Sequence, residues 1–375
     1  MVKVVLVVSL IFLSIHLGMI RITVSLIHSS NRFIFPRFLK TNFRFQMVTT
    51  STYHVNIVDL LNTGTVQVPI EVAMRYHGNS NVKFLDGSWW LGKRETSNRQ
   101  DYESGPRITG AHFFDIDDIS SPQGSEMNPK NLPHMMPSPT TFSLAMDAMN
   151  ITNDDHLIVY GQKGCPFVYR AYFQIACMGH EYKRVHMLAG SLHDWIAAGG
   201  PVDTNHCPTI RVAELDSTKS TSYDAVPVAA RNVVDMKEIL ELTSRRTINT
   251  PDDDKSSTIL VDVRSPDRFY GRVEEPRPGL RLGHMPGAKN LFFFNLLDND
   301  EPTKLKPRAE LVNLLENALG PNVLSSDRII ASCGSGATAC VLATALIECG
   351  MDPSKVFIYD GSWCEWGDDP NTPII

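Results

Sequence analysis

Cys333 stands in the run R-I-I-A-S-C-G-S-G-A-T-A-C-V-L-A-T-A-L, the setting in this chain that most suggests chemistry. An apolar, strand-like stretch leads into the sulfur, three small residues follow, and a helical pattern rich in Ala and Leu begins. Gly334 and Gly336 open backbone conformations closed to other residues. A loop wrapped this tightly ahead of a helix can aim successive N–H groups at one point, and here that point is the sulfur. A free thiol titrates near 8.5, and converging donors at a helix N-terminus favour the nucleophilic thiolate. The same cradle (Gly334, Gly336, Ala337, Thr338 and Ala339) suits a second sulfur carrying negative charge, namely a persulfide. A thiol phosphatase is the rival reading. It needs Arg six residues after the Cys to grip phosphate bidentately, and that residue is Ala339, which argues against it. Cys340 and Cys349, on the apolar helix behind, read as core residues.

The elements that must position this loop follow from hydrophobic patterning. Short apolar runs alternate with helical patterns, the signature of α/β units. Strands are expected at Val82–Asp86, His156–Tyr160, Arg184–Leu188, Thr258–Val263, Arg328–Ser332 and Lys355–Tyr359. Helices are expected at Thr140–Met149, Phe167–Met178, Arg308–Leu319 and Thr338–Glu348. The two halves repeat each other at a spacing of about 175 residues, far longer than a solenoid period. V-K-F-L-D answers I-L-V-D-V, I-T-G-A-H-F-F answers M-P-G-A-K-N-L-F-F, and A-G-S-L-H-D-W answers D-G-S-W-C-E-W. Residues 208–226, with the run D-S-T-K-S-T-S, read as an exposed connector. The division is therefore a leader over 1–48, a first α/β domain over 49–207, the connector, and a second α/β domain over 227–375. Gly161 of G-Q-K-G stands where the second half has Cys333, so the first half is expected to be inactive. Cys165, nearby, reads as incidental, although Lys163 leaves a reactive thiol open. Trp89, Trp90 and Trp195 read as packing residues.

Composition narrows the function classes. The chain has 375 residues, 43% of them hydrophobic and 20% charged, as in soluble globular proteins. A net charge of −6 argues against a whole-protein nucleic-acid binder. Seven cysteines without a C-x-x-C pair fit neither a disulfide framework nor a zinc site. No metal and no organic cofactor is expected, and no dinucleotide-binding glycine fingerprint appears. The first 58 residues contain no Asp or Glu but carry Lys3, Arg21, Arg32, Arg37, Lys40 and Arg44. Such a leader reads as a targeting segment. Mitochondrial import is the first expectation, a plastid or secretory route the alternative, and initiation at Met47 would give a cytosolic form. No stable membrane insertion of the mature protein is expected.

From about Val82 to Pro373 the chain resembles the tandem-domain rhodanese superfamily and, within it, the 3-mercaptopyruvate sulfurtransferases. C-G-S-G-A-T-A differs by one small residue from that family's C-G-S-G-V-T-A loop, whereas thiosulfate-preferring relatives typically carry C-R-K-G. Y-D-G-S-W-C-E-W and G-H-M-P-G-A match two further family motifs. The resemblance implies two rhodanese-like domains, each a central, mostly parallel sheet flanked by helices, with the site between them. It implies sulfur transfer from 3-mercaptopyruvate through a Cys333 persulfide to cyanide or a thiol, thioredoxin and small reduced thiols being the acceptors. Within D-V-R-S-P-D-R-F-Y-G-R-V-E-E-P-R, the family's substrate-gripping arginines match Arg268 and Arg277; Arg264 and Arg272 read as ion-pair residues. Ser335 is implied to join a His and an Asp of the first domain in a serine-protease-like relay. L-P-H-M-M-P places that His at His134 and F-F-D-I-D-D places the Asp at Asp117, with Asp115 the competing choice. R-I-T-G-A and L-A-G-S in the first half depart from the family pattern. Two alternatives stay open: a thiosulfate:cyanide sulfurtransferase, and a non-catalytic persulfide relay in tRNA thiolation.

Overall fold

A computed structural model of the protein describes residues 65–92, 94–226, 232–248 and 258–375. The expected leader over 1–48, with Met47, lies outside these residues. Among them the chain forms strands β1 (Gln67–Val68), β2 (Val82–Asp86), β3 (Arg107–Ile108), β4 (His112–Phe113), β5 (His156–Tyr160), β6 (Val185–Leu188), β7 (Val202–Asp203), β8 (Val233–Val234), β9 (Thr258–Asp262), β10 (Lys289–Asn290), β11 (Arg328–Ser332) and β12 (Val356–Tyr359). Two five-stranded sheets result, in the orders β1-β6-β5-β2-β4 and β10-β9-β11-β12-β8. Every pairing within them is parallel. Read from β8, the second order retraces the first strand for strand, so the sequence repeat is a repeat of winding. β3 and β7 form a separate antiparallel pair.

Parallel strands covered on both faces are apolar along their length rather than alternating. β5 is buried at all five residues and β11 at its last four, which is why their bounds agree with the pattern-based expectation. The two-residue strands were not anticipated; an element that short has no period to read.

Each central strand ends in a loop that feeds a buried helix, Val168–Cys177 after β5 and Ala339–Glu348 after β11. These two helices pack against each other, one from each half. A helix covered on all sides is apolar all round, and V-Y-R-A-Y-F-Q-I-A-C obeys that rule except at Arg170 and Gln174. One hydrophobic cluster runs through both halves, from Leu85 and Val159 to Val261 and Ile358.

The segment expected as an exposed connector is largely exposed, without a break over Asp216–Ser220, yet both of its ends are anchored to the first half. Its start is tied to the first half by Thr209, which reaches Arg99 and Glu103. Its end is tied by Ser222 and Tyr223, whose amides donate to Asp147, and the Tyr223 ring is buried against Phe142 and His180. A local run of polar residues hid these anchors because each bonds to a partner distant in sequence.

Candidate active site

Cys333 sits directly after β11, at the carboxyl end of a central parallel strand, where open α/β sheets place their ligand sites. The loop after it is shaped by what holds its carbonyls. Trp363 and Cys364, in the short C-terminal helix Ser362–Trp366, donate their N–H groups to the Cys333 and Gly334 carbonyls at 3.0 and 2.8 Å. Arg170 Nη1 donates to the Gly336 carbonyl at 3.3 Å. With the carbonyls engaged on that side, the amides of Gly334, Ser335, Gly336, Ala337 and Thr338 have no acceptor among the described residues. The Cys333 amide itself donates to Ser362 Oγ at 3.2 Å. Gly336 adopts φ +76°, and a Cβ there would lie 2.7 Å from the Asp360 carbonyl oxygen, so the turn needs glycine for both conformation and space.

Cys333 is only 2% exposed, but it lines a cavity of about 260 Å³ together with Gly334, Ser335, Ala337 and Thr338. Arg268 and Arg277 line the same cavity. The Arg268 guanidinium lies over Gly334 and pairs with Glu275 at 2.5 Å. Arg277 has no acidic partner among the described residues, which leaves it as the cation with open donors. Arg264 is fully buried between Asp262 and Glu275 and stacks 4.1 Å over Trp363, a structural residue. Arg272 is exposed beside Asp267.

The first half contributes His134 and Asp117. His134 Nδ1 lies 2.6 Å from Asp117 Oδ1, and Trp89 Nε1 donates to Asp117 Oδ2 at 2.7 Å. Burial pushes the Asp117 carboxyl upward, but the His134 contact, the Trp89 N–H and the Arg277 charge outweigh it and hold the carboxyl below its usual range. Asp115 instead pairs with Arg99, so geometry puts Asp117 and not Asp115 beside the histidine. His134 has φ +58°, rare for a non-glycine residue, and Arg170 fixes that backbone by donating to its carbonyl. Its Nε2 is buried without a hydrogen-bond partner. Of the three residues implied to act together, His134 and Asp117 are in contact, whereas the Ser335 hydroxyl bonds to neither His134 nor any other described residue.

Sequence reasoning missed six participants. Trp89, expected as packing, both lines the cavity and holds Asp117. Arg170 and Asp360 meet at 2.7 Å and lock the His134 segment to the Cys333 loop. The signal for Arg170 was a lone charge in an otherwise apolar helix. Phe292, Phe293 and Phe294 form a wall of the cavity, legible only as an aromatic run.

At the matching place in the first half, Gly161 follows β5, and a Cβ there would meet the Val168 Cβ at 3.2 Å. The cleft beside it, lined by Asp86, Ser88 and Gln162, measures about 10 Å³, room for little beyond a water. Cys165 is wholly buried, exchanges contacts with the Trp89 backbone, and has its thiol pushed up to about 11 by burial. Cys364 near the C-terminus is likewise pushed up to about 11 by burial. No group of three or more His, Cys, Asp or Glu among the described residues could hold a metal ion, and no described helix is long and apolar enough to cross a membrane.

Comparison with known proteins decides the family. A rhodanese-like domain profile matches residues 246–369. Thiosulfate/3-mercaptopyruvate sulfurtransferase 2 of Arabidopsis thaliana is 31% identical over 314 residues, covering 80% of this chain and 83% of the relative. The chain belongs to the 3-mercaptopyruvate sulfurtransferase family of two-domain rhodaneses. It is an enzyme that transfers sulfur-containing groups. Thiosulfate/3-mercaptopyruvate sulfurtransferase 1, mitochondrial, of the same plant is 33% identical over 298 residues, 78% of this chain and 74% of that one. The crystal structure of SseA from Escherichia coli, described as a 3-mercaptopyruvate sulfotransferase of rhodanese fold, superposes with TM-score 0.62 at 27% identity, covering 80% of this sulfurtransferase and 99% of SseA.

Proposed function

We propose that this sulfurtransferase takes sulfur from 3-mercaptopyruvate, holds it as a Cys333 persulfide and passes it to a thiol or cyanide, releasing pyruvate. The observation that carries the reading is the set of unengaged amides, Gly334 to Thr338, around a cysteine that shares its cavity with Arg277 and Arg268. Guanidinium groups match a carboxylate in fork geometry and stay charged. The Cys333 thiolate attacks the substrate sulfur, the C–S bond breaks, and the enolate of pyruvate leaves to be protonated at carbon. The sulfur remains on Cys333 as an anionic persulfide facing the amides. His134, oriented by Asp117, is suited to moving the proton, and Ser335 lines the cavity beside Cys333. Acceptor attack on the outer sulfur then restores the Cys333 thiolate. The acidic-residue-free leader and the mitochondrial relative support a mitochondrial address.

Intact-mass analysis after adding 3-mercaptopyruvate without acceptor tests the reading. One added sulfur that maps to Cys333 and is absent from Cys333→Ser is expected; an unmodified protein, or a sulfur elsewhere, overturns it. Thiosulfate is the competing donor, and a higher kcat/KM with thiosulfate than with mercaptopyruvate would reverse the choice.

A further inference from the structure

The cavity holds far more apolar surface than a three-carbon, doubly polar donor can use. Arg268 and Arg277 account for recognition of the carboxylate at one side of Cys333. The rest is aromatic and comes from both halves. Trp89 and Phe167 of the first half meet edge to face at 4.9 Å. Phe292, Phe293 and Phe294 of the second half contact one another at 4.3–5.4 Å. Leu91 and Phe294, both lining the cavity, are 46% and 44% exposed, so its rim is greasy while its charged groups are the arginines. Trp89 is itself buried, whereas the apolar side chains of Leu91 and Phe294 are left against water at this rim, a cost that a ligand covering them would relieve.

From this arrangement we infer that the sulfur acceptor is a small thiol with an aromatic or branched apolar body, seated between Trp89 and Phe294. The inference rests on the persulfide reading above. In the transfer, the acceptor thiolate attacks the outer sulfur of the Cys333 persulfide, a new S–S bond forms, the bond to Cys333 Sγ breaks, and Cys333 leaves as thiolate. The acceptor departs as its own persulfide, with no other oxidant or reductant consumed. Arg268 and Arg277 stay available for donor binding, and the apolar wall serves the second half-reaction.

The full chain, loaded with sulfur from mercaptopyruvate or thiosulfate, is mixed with benzyl mercaptan, 2-mercaptoethanol or 3-mercaptopropionate, and loss of the added sulfur is followed by rapid-quench intact mass. The first two thiols are of similar basicity and differ in the ring; the third tests charge without a ring. Transfer to benzyl mercaptan is expected to be ~10-fold faster than to 2-mercaptoethanol, the effect of partly burying one ring. That ratio, taken within each protein, is expected to drop at least ~3-fold in Phe294→Ala and in Leu91→Ala as a methylene-rich contact is removed. A ratio near one, fastest transfer to 3-mercaptopropionate, or a ratio unchanged in both variants overturns the inference while leaving the persulfide intact. Failure of both donors to load Cys333 overturns the persulfide reading itself, and the acceptor inference with it.

Discussion

Arg170 Nη1 and Asp360 Oδ1 lie 2.7 Å apart, one from each half of the chain, and both side chains are sealed from solvent. Each has further duties. Arg170 also holds the His134 and Gly336 carbonyls, and the other Asp360 oxygen accepts the Met136 amide at 2.7 Å. The pair therefore sets the distance between the histidine segment and the sulfur loop. Removing one partner of a buried pair leaves the other charged and unsatisfied, at a cost of about 3–5 kcal/mol. Arg170→Ala is expected to lower the urea midpoint accordingly, and Arg170→Lys is expected to recover little, because an ammonium cannot fork between three acceptors. Near-native stability of Arg170→Ala would show that the clamp is dispensable.

The two cavity arginines differ in what already occupies them. Arg268 is engaged by Glu275, whereas Arg277 is open. A charged hydrogen bond to substrate contributes about 1.5–3 kcal/mol, so Arg277→Ala should reduce kcat/KM for mercaptopyruvate roughly 10–100-fold. Thiosulfate has no carboxylate and should suffer much less. Steady-state kinetics with both donors decides the point; equal losses would mean that Arg277 does not read the carboxylate.

Gly336→Ala is expected to damage the loop more than Gly334→Ala. The first places a Cβ 2.7 Å from a fixed backbone oxygen in a left-handed conformation; the second meets only the Arg268 guanidinium at 3.0 Å. A strained backbone site of this kind costs about 1–3 kcal/mol. Thermal unfolding and the rate of sulfur loading should rank the variants in that order.

Acid should weaken the first half through its buried histidines. His156 and His186 stack, with Nδ1 of the former 3.3 Å from Nε2 of the latter. Burial, then the charges of His156 and His180, push the His186 imidazole down to about 3, and burial lowers His156 and His180 as well. Below the ordinary imidazole range the unfolded chain binds protons that the folded one refuses. Stability is therefore full above about pH 6.5 and falls as pH drops from there toward 3, by up to about 1.4 kcal/mol per pH unit per histidine. Urea midpoints between pH 5 and 7.5 should show this slope, and His186→Gln should flatten it.

What could be read from the chain depended on how local the signal was. Central strands β5 and β11 and the helix Arg308–Leu319 announced themselves because burial on both faces, or a full helical period, leaves a long pattern. Cys333, Gly334 and Gly336 were legible because an abrupt strand-to-helix switch through glycine has few other uses. Arg170–Asp360, spanning 190 residues, was not, since a buried ion pair between halves leaves no trace at either position beyond an out-of-place charge. The Ser335 hydroxyl is the converse case: resemblance implied a place for it beside His134 and Asp117, and in the folded loop it makes no bond to either of them.

The packing of the Val168–Cys177 helix against Ala339–Glu348 has a consequence for fragments. Glu348, in the second of these helices, also accepts the amides of Val66 and Gln67, so β1 is held by a residue from the other end of the chain. A polypeptide severed near residue 230 should yield two pieces that are each sticky and inert, because each would present one bare apolar helix and half of a salt bridge to water. Co-expressed, the same pieces have every reason to find each other, and recovery of sulfur loading would appear only in the reconstituted pair.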